Sequence, residues 1–288
     1  MKYQCFILTI ENQIAHIQLS RPEKRNSMIR EFWEELPAIV RDIDNNSRAR
    51  VIVISSQGPH FTSGIDLNLF QQDVPADAAT ERAQRISRGA DFYAKVASMQ
   101  DTFSALENCR LPVLAAIQGG CIGGGVDLAT ACCMRYACDD TFFTIFETNI
   151  GMTADVGTFP RIVKLIPEGI ARELAYTGRR MDAKEAVQVG LVNKVYTTSQ
   201  EMIAAVMTIA ADIASKAPLA VYGCKRMITY ARDHNTADSL DYVRIWNASF
   251  LQPEEMMEAM QANAEKRVGN FVDLPAVDGP IGKNAANS

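Results

Sequence analysis

The sequence has few histidines and no excess of positive charge. The three histidines, His16, His60 and His234, are too widely spaced for a recognisable metal signature, so we interpret each as a structural or surface residue. The formal net charge of -5 argues against a general nucleic-acid-binding protein, because affinity for the phosphate backbone requires a dense basic surface. We therefore expect neither a metal centre nor a nucleic-acid partner.

Several common motifs and segments are also missing. The sequence has no dinucleotide fingerprint, no P-loop triplet and no G-x-S-x-G elbow, so phosphate-cradling loops and triad hydrolysis are disfavoured. No apolar run reaches the roughly 20 residues that span a bilayer, and the N-terminal MKYQCFILTIENQ lacks a cleavage pattern. The seven cysteines follow no regular spacing. We expect reduced, buried thiols in a cytoplasmic protein without a membrane partner.

Strand and helix patterns alternate up to LVNKVY at 191–196, which is typical of one α/β unit. Within this unit, residues 73–100 are polar and alanine-rich, and we expect a loop there that leads into a helix and serves as a lid or substrate wall. After residue 201 the pattern is only helical and has apolar stripes. The sequence thus predicts an α/β core over 1–200, a helical oligomerisation region over 201–275 and a flexible tail over 276–288.

The most informative stretch runs from Ala115 to Asp155. An apolar run, LPVLAAI, ends in a turn with five glycines at positions 119–125, and the helical-looking VDLATACCM follows. Glycine allows backbone N–H groups to approach a ligand closely, and the N–H groups at the start of a helix are unpaired and favour negative charge. The turn therefore predicts a site that holds an oxyanion.

Three acids follow the turn: Asp127, Glu147 and Asp155. A polarised oxygen with carboxyl groups around it is what proton abstraction beside a carbonyl requires. Each acid alone also has an ordinary interpretation. Asp127 can be a charge near a helix N-terminus, Glu147 a surface charge at a strand end, and Asp155 a helix N-cap. The spacing alone leaves both interpretations open.

The segments FTSGIDL at 61–67 and AAIQGGCIGGGVDL at 115–128 together resemble the enoyl-CoA hydratase/isomerase family, or crotonase superfamily. SRPEKRNSM, TGRRMDAKEAVQVGLVNKV and AEKR extend this resemblance over most of the chain. The resemblance implies an α/β fold, a crotonase-like superhelix of repeated ββα turns with a C-terminal helical trimerisation region. It also implies a homotrimer or homohexamer.

The resemblance further implies an acyl-CoA substrate and no separate cofactor. The two backbone N–H groups that hold the thioester oxygen fall on Ile65 and Gly124. The positions implied for CoA binding are Arg25, Gly64, Asp66, Leu67, Asn68, Gly125 and Lys266, with Lys24 and Arg267 as further candidates for the phosphates. A solvated surface charge is an equally good interpretation of any one of these cations, and Asp66 is more readily a loop-stabilising residue than a proton carrier.

The acids indicate the reaction within the family. Hydratases of the family have glutamates at the places of Asp127 and Glu147, where they hold the water that is added. This chain has the shorter Asp127 and adds Asp155, which resembles family members that isomerise 3,5-dienoyl-CoA to 2,4-dienoyl-CoA in unsaturated fatty-acid β-oxidation.

That isomerisation removes a proton from C2 and adds one at C6, so one carboxyl cannot readily serve both carbons. We expect Glu147 and Asp155 to be the acid/base pair, with Asp127 orienting or tuning Glu147. Two alternatives stay open: an enoyl-CoA hydratase, and a non-catalytic acyl-CoA-binding or RNA-binding scaffold.

Overall fold

A six-stranded sheet forms the centre of the chain in the computed structural model, which describes residues 3–70 and 78–277. Its strand order is β1-β2-β3-β4-β6-β9, antiparallel between β1 and β2 and parallel from β2 onward. A smaller sheet has the order β5-β7-β8. The strands are β1 (Phe6–Glu11), β2 (Ile14–Leu19), β3 (Val51–Ser56), β4 (Val113–Ile117), β5 (Gly120–Ile122), β6 (Met134–Cys138), β7 (Phe142–Thr144), β8 (Met181–Asp182) and β9 (Lys194–Tyr196).

The helices that accompany these strands are α1 (Arg30–Asn45), α2 (Ala78–Asn108), α3 (Gly124–Ala131), α4 (Thr158–Ile162), α5 (Glu168–Thr177), α6 (Ala183–Gln188), α7 (Ser199–Ala214), α8 (Pro218–Asp233), α9 (Thr236–Phe250) and α10 (Pro253–Glu265). The segment at 73–100, where we expect a loop that leads into a helix, is mostly helix, because α2 begins at Ala78 and its alanine, arginine and glutamine residues favour a helix. Residues 73–77 of that expectation lie outside the described residues.

The core is divided by the sheet into two layers. Along β3, Ile52 and Ile54 face the cluster that includes α1 and α2, whereas Val51 and Val53 face the cluster that includes α7. This alternation is the period of two that a strand buried on both faces requires. Consequently α7, which begins the helical part of the chain at Ser199, packs directly on the sheet.

The helices that follow α7 bury little of their own surface. Among their described residues, α8 buries only Pro218 and Gly223, and α10 only Ala262. Large apolar side chains are exposed on these helices and just after them: Ile228, Leu240, Ile245, Phe250, Leu251, Met256, Met257, Met260 and Val268. A helical region with this much exposed apolar surface is typical of a protein that packs against a partner.

The chain then returns to the core. Arg50 Nη2 donates to the Phe271 oxygen at 2.8 Å, and Arg110 Nη1 donates to the Pro275 oxygen at 2.8 Å. The predicted flexible tail lies outside the described residues from 278 onward. Within the described ranges no single helix has the length and apolar character of a membrane span, although the bent pair α7 and α8 passes that test by length and composition.

Candidate active site

The first wall of the site is built from main-chain contacts between two loops and the glycine turn. Met28 N donates to the Gly64 oxygen at 2.9 Å, and Asp66 N donates to the Met28 oxygen at 3.1 Å. Thr62 is joined to the turn in the same way, because Ile122 N donates to its oxygen at 3.2 Å. These contacts fix the loop at residues 62–66 against the start of α3. We call this arrangement the amide wall.

On the amide wall, the main-chain N–H groups of Ile65 and Gly124 have no hydrogen-bond acceptor among residues 3–70 and 78–277. They lie close together, since a Cβ placed on Gly64 would be 3.3 Å from Gly124 N and one placed on Gly124 would be 3.7 Å from Ile65 N. Gly64 has a φ of +82°, and a side chain there would approach the Ile122 oxygen to 2.6 Å. Two adjacent unpaired amides are the geometry of an oxyanion hole.

The second wall carries the three predicted acids, and we call it the acid wall. Asp127 lies in the first turn of α3, 1% exposed, and its Oδ1 accepts the N–H of Thr158 at 2.6 Å. Burial and the charge of Glu147 raise the pKa of Asp127 to about 7, against the opposing effect of the Thr158 hydrogen bond. Asp127 therefore carries a proton part of the time near neutral pH.

Glu147 stands just beyond the end of β7, at the start of a 3₁₀ turn. Its Oε1 lies 3.2 Å from where a Cβ on Gly123 would stand, so the carboxyl is beside the glycine turn. Its Oε2 is buried and has no hydrogen-bond partner in the part of the chain that the structure describes. Burial raises the pKa of Glu147 and the charge of Asp155 raises it further, although hydrogen bonds from main-chain N–H groups oppose both.

Asp155 lies in the loop before α4 and is half-buried. Burial raises the pKa of its carboxyl, opposed by a hydrogen bond from its own N–H. Since the charge of Asp155 acts on Glu147 and the charge of Glu147 acts on Asp127, the structure brings the three acids together as one electrostatic group.

The residues implied for CoA binding lie partly on the amide wall and partly elsewhere. Asp66 Oδ1 accepts from both nitrogens of Asn68, at 3.0 and 2.8 Å, and its Oδ2 accepts from Ser27 Oγ at 3.2 Å. This is the pattern of a residue that stabilises a loop. Arg25 belongs to the neighbouring loop, because its oxygen accepts the Ser63 N–H at 2.9 Å.

The other implied positions differ in exposure. Lys24, Arg25 and Leu67 are exposed, whereas Gly125 is buried, and a Cβ there would lie 2.7 Å from Thr62 Cγ2. Lys266 is exposed at the end of α10. The next residue, Arg267, forms ion pairs with Glu258 and Glu265.

Sequence reasoning missed the polar side chains that hold the amide wall in shape. Thr62 Oγ1 donates to the Asn26 oxygen at 2.7 Å and accepts the Gly64 N–H at 3.0 Å. Asn26 is buried, and its Nδ2 donates to the oxygens of Gln57 and His60, both at 3.0 Å. No local spacing indicates the contacts of Asn26, because they join it to positions more than 30 residues away.

The cysteines form no described disulfide, and Cys133 and Cys224 are exposed while the other five are buried. The expectation that all the thiols are buried is therefore wrong for these two. Cys224 lies within the partly exposed helix α8, and Cys133 lies beside that helix. Across the described ranges, no group of three or more histidine, cysteine, aspartate or glutamate side chains is arranged to hold a metal ion.

In an α/β fold, paired amides beside a cluster of acids are an arrangement that can polarise a carbonyl oxygen and move protons next to it. Sequence comparison gives the family. The model of the family described as "Enoyl-CoA hydratase/isomerase" matches residues 9–274, and the chain belongs to this family. The predicted resemblance and the predicted crotonase-like fold class are thereby confirmed.

Named relatives and a solved structure extend this finding. The chain is 43% identical over 263 residues to a Rattus norvegicus protein named "Delta(3,5)-Delta(2,4)-dienoyl-CoA isomerase, mitochondrial", covering 91% of this chain and 79% of the relative. It is 39% identical to the Arabidopsis thaliana protein of the same name, "peroxisomal", covering 92% and 94%. A putative enoyl-CoA hydratase from Thermobifida fusca YX, solved in complex with acetoacetyl-CoA, is 30% identical with a TM-score of 0.75, covering 85% and 94%.

These names correct one prediction. The rat relative is named mitochondrial and the Arabidopsis relative peroxisomal, and on this finding the prediction of a cytoplasmic protein is wrong. The prediction rested on reduced cysteines, and free thiols do not distinguish between these compartments.

Proposed function

We propose that this protein isomerises 3,5-dienoyl-CoA to 2,4-dienoyl-CoA in the oxidation of unsaturated fatty acids. The observation that carries the proposal is the electrostatic group of Asp127, Glu147 and Asp155 beside two unpaired amides. The names of the rat and Arabidopsis relatives support the same reaction.

In the mechanism that we propose, the N–H groups of Ile65 and Gly124 bind the thioester oxygen. This makes the C2 proton acidic, because the negative charge of the resulting dienolate is stabilised by donors that need no reorganisation. One carboxyl of the Glu147 and Asp155 pair takes the proton from C2, and the other gives a proton to C6. The two double bonds shift into conjugation with the thioester, and no cofactor or metal takes part.

The pKa shifts support such a pair. A base must be ionised and an acid protonated at the same time, and two neighbouring carboxyls in a buried place cannot readily both be ionised. Burial raises the pKa of Glu147 and of Asp155, and the charge of Asp155 raises that of Glu147 further. One proton shared within the group is the state that the proposed mechanism needs.

The position of Asp127 favours isomerisation over hydration. In hydratases of the family, the two glutamates hold the water between them. Here the Asp127 side chain is one methylene shorter, and its Oδ1 already accepts the Thr158 N–H at 2.6 Å. We therefore assign Asp127 to holding the loop that carries Asp155 and to tuning Glu147.

For the substrate's CoA portion, we propose the loop residues on and beside the amide wall, Arg25, Gly64, Asp66, Leu67, Asn68 and Gly125, together with Lys266. Arg25 and Lys266 are exposed and available to phosphates. Arg267 is a weaker candidate, because its guanidinium is already paired with two glutamates.

We also propose that α8–α10 are the oligomer-forming part of the predicted region at 201–275. The exposed apolar side chains are concentrated there, while α7 packs on the sheet. Analytical ultracentrifugation of the purified chain is expected to show a trimer or a hexamer. A monomer at micromolar concentration would contradict the proposal.

The activity is tested with purified protein, 3,5-dienoyl-CoA and 2-enoyl-CoA, followed by absorbance. Isomerisation creates the longer conjugated chromophore, whereas hydration of 2-enoyl-CoA destroys conjugation. We expect turnover of the dienoyl substrate, and Asp155→Asn should remove most of it, because general acid/base catalysis contributes about 10²–10⁴-fold. Unchanged isomerisation by Asp155→Asn contradicts the two-carboxyl mechanism, and hydration without isomerisation contradicts the proposed activity.

A further inference from the structure

One face of α2 forms hydrogen bonds with the loop that carries Asp155, both directly and through Arg161. Gln100, Ser104 and Glu107 follow each other at spacings of four and three residues, so they lie on the same side of the helix. Gln100 Nε2 donates to the main-chain oxygen of Asp155 at 2.6 Å. Ser104 and Glu107 reach the same loop through Arg161, a residue of α4. We call Gln100, Ser104, Glu107 and Arg161 the α2 clamp.

Arg161 is the centre of the clamp and is 8% exposed. Its Nε and Nη2 lie 3.2 and 3.1 Å from Glu107 Oε2, and Nη2 donates to Ser104 Oγ at 3.1 Å. Its Nη1 donates to the Gly157 oxygen at 3.4 Å, two residues after Asp155. The guanidinium thus uses its planar fork to connect α2 with the loop. A buried, charged contact of this kind is sensitive to small displacements.

Gly157 makes room for this contact. Its φ is +128°, a conformation that L side chains rarely adopt, and a Cβ there would overlap Arg161 Nη1. The loop at 154–158 is therefore shaped so that the guanidinium can lie against it. The loop is thus held by the clamp at Asp155 and Gly157, and by the Asp127 carboxyl of α3 at the Thr158 N–H.

Glu147 is held differently. It follows β7 and stands beside Gly123, and no hydrogen bond within the described ranges joins it to the clamp. Within the described residues, the clamp therefore bears directly on the segment that carries one carboxyl of the pair, and no hydrogen bond joins it to the other.

We propose that Glu107, Arg161 and Gln100 are positioning residues, which set where the Asp155 carboxyl stands relative to the amides of Ile65 and Gly124. This inference rests on the proposed isomerase function. It predicts that weakening the clamp slows proton transfer at the end of the acyl chain that Asp155 serves, without weakening substrate binding. A misplacement of about 1 Å can lower a rate by about 10²-fold.

The test measures kcat and KM on 3,5-dienoyl-CoA for Glu107→Gln and for Gln100→Ala, which removes one donor without leaving a buried charge unpaired. Each change is made in the natural chain and in an Asp155→Glu chain, whose carboxyl is already displaced by one methylene. We expect Glu107→Gln to lower kcat about tenfold with KM within about twofold, and Gln100→Ala to act in the same direction more weakly. In the Asp155→Glu chain both effects should shrink to less than about twofold, because residues that act through one another are not additive.

The matched control is Glu168→Gln, which removes an exposed ion pair with Arg172 on α5 and should leave kcat unchanged. If Glu107→Gln does not fold, Arg161→Lys replaces it, since lysine keeps the charge and loses the fork. An unchanged kcat for the clamp variants, or an equal loss in both chains, overturns the proposal. Absence of turnover by the natural chain overturns the proposed function instead, and this is seen before any variant is made.

Discussion

The two walls of the site are held by different kinds of contact. The amide wall is fixed largely by main-chain hydrogen bonds such as Met28 N to the Gly64 oxygen, and the groups proposed to bind the thioester oxygen are themselves main-chain N–H groups. The acid wall consists of side chains, and its pKa values are set by burial and by the neighbouring acids. The amide wall should therefore be sensitive to backbone geometry and tolerant of the identity of the side chain at Ile65. The acid wall should be sensitive first to the identity of its carboxyl side chains.

The largest effect should come from Glu147→Gln, which removes an ionisable carboxyl from the acid wall and keeps its shape. We expect kcat on 3,5-dienoyl-CoA to fall about 10³-fold, within the range for general acid/base catalysis, with KM little changed. Steady-state kinetics checks this. A loss that appears mainly in KM would mean that Glu147 binds substrate and does not transfer protons.

A somewhat smaller loss is expected when the backbone of the amide wall is disturbed by Gly64→Ala. The new Cβ would meet the Ile122 oxygen at 2.6 Å and displace the Ile65 amide, so we expect kcat to fall about 10²-fold. The matched control is Gly190→Ala, where φ is +87° but the nearest atom would be 3.5 Å away. Similar losses of activity in both variants would assign the effect to backbone strain in general.

The buried carboxyl of Asp127 should also make the free energy of unfolding depend on pH. The pKa of Asp127 is about 7 in the folded chain, above the value near 4 of an ordinary aspartate, so between those pH values the folded state binds more protons. The stability that the protonated Asp127 contributes is fully present below about pH 4 and is lost as the pH rises through about 7. Between these values the free energy of unfolding falls by at most ~1.4 kcal/mol per pH unit. Asp127→Asn should flatten the pH dependence of urea unfolding in this window. An unaltered slope would mean that Asp127 is ionised throughout.

The smallest effect should come from Ile65→Ala. The proposed role of Ile65 belongs to its N–H, which alanine keeps, so kcat is expected to stay within about threefold of the natural value. The half-buried side chain packs against the core, and its loss should appear as a lower midpoint of thermal unfolding. A loss of kcat as large as that of Gly64→Ala would contradict the distinction between the walls.

Some parts of the site could be predicted from the sequence, and others could not. The glycine turn predicted an anion-binding place because glycine is a local requirement, imposed by φ values such as the +52° of Gly123. The acids were recognisable as a group only through the family resemblance. The α2 clamp was not predicted, since Gln100 and Asp155 are 55 residues apart and a polar helix face normally faces solvent.

The sequence by itself determined the family, the α/β class and the three acids with the glycine turn, because each depends on residue types at fixed positions along the chain. Only the tertiary structure decided how those acids are tuned and held. Burial raises the pKa of Asp127 to about 7, and Arg161 and Gln100 fix the Asp155 loop, through contacts between segments that are far apart in the chain. Desolvation and long-range hydrogen bonds exist only once the chain is folded.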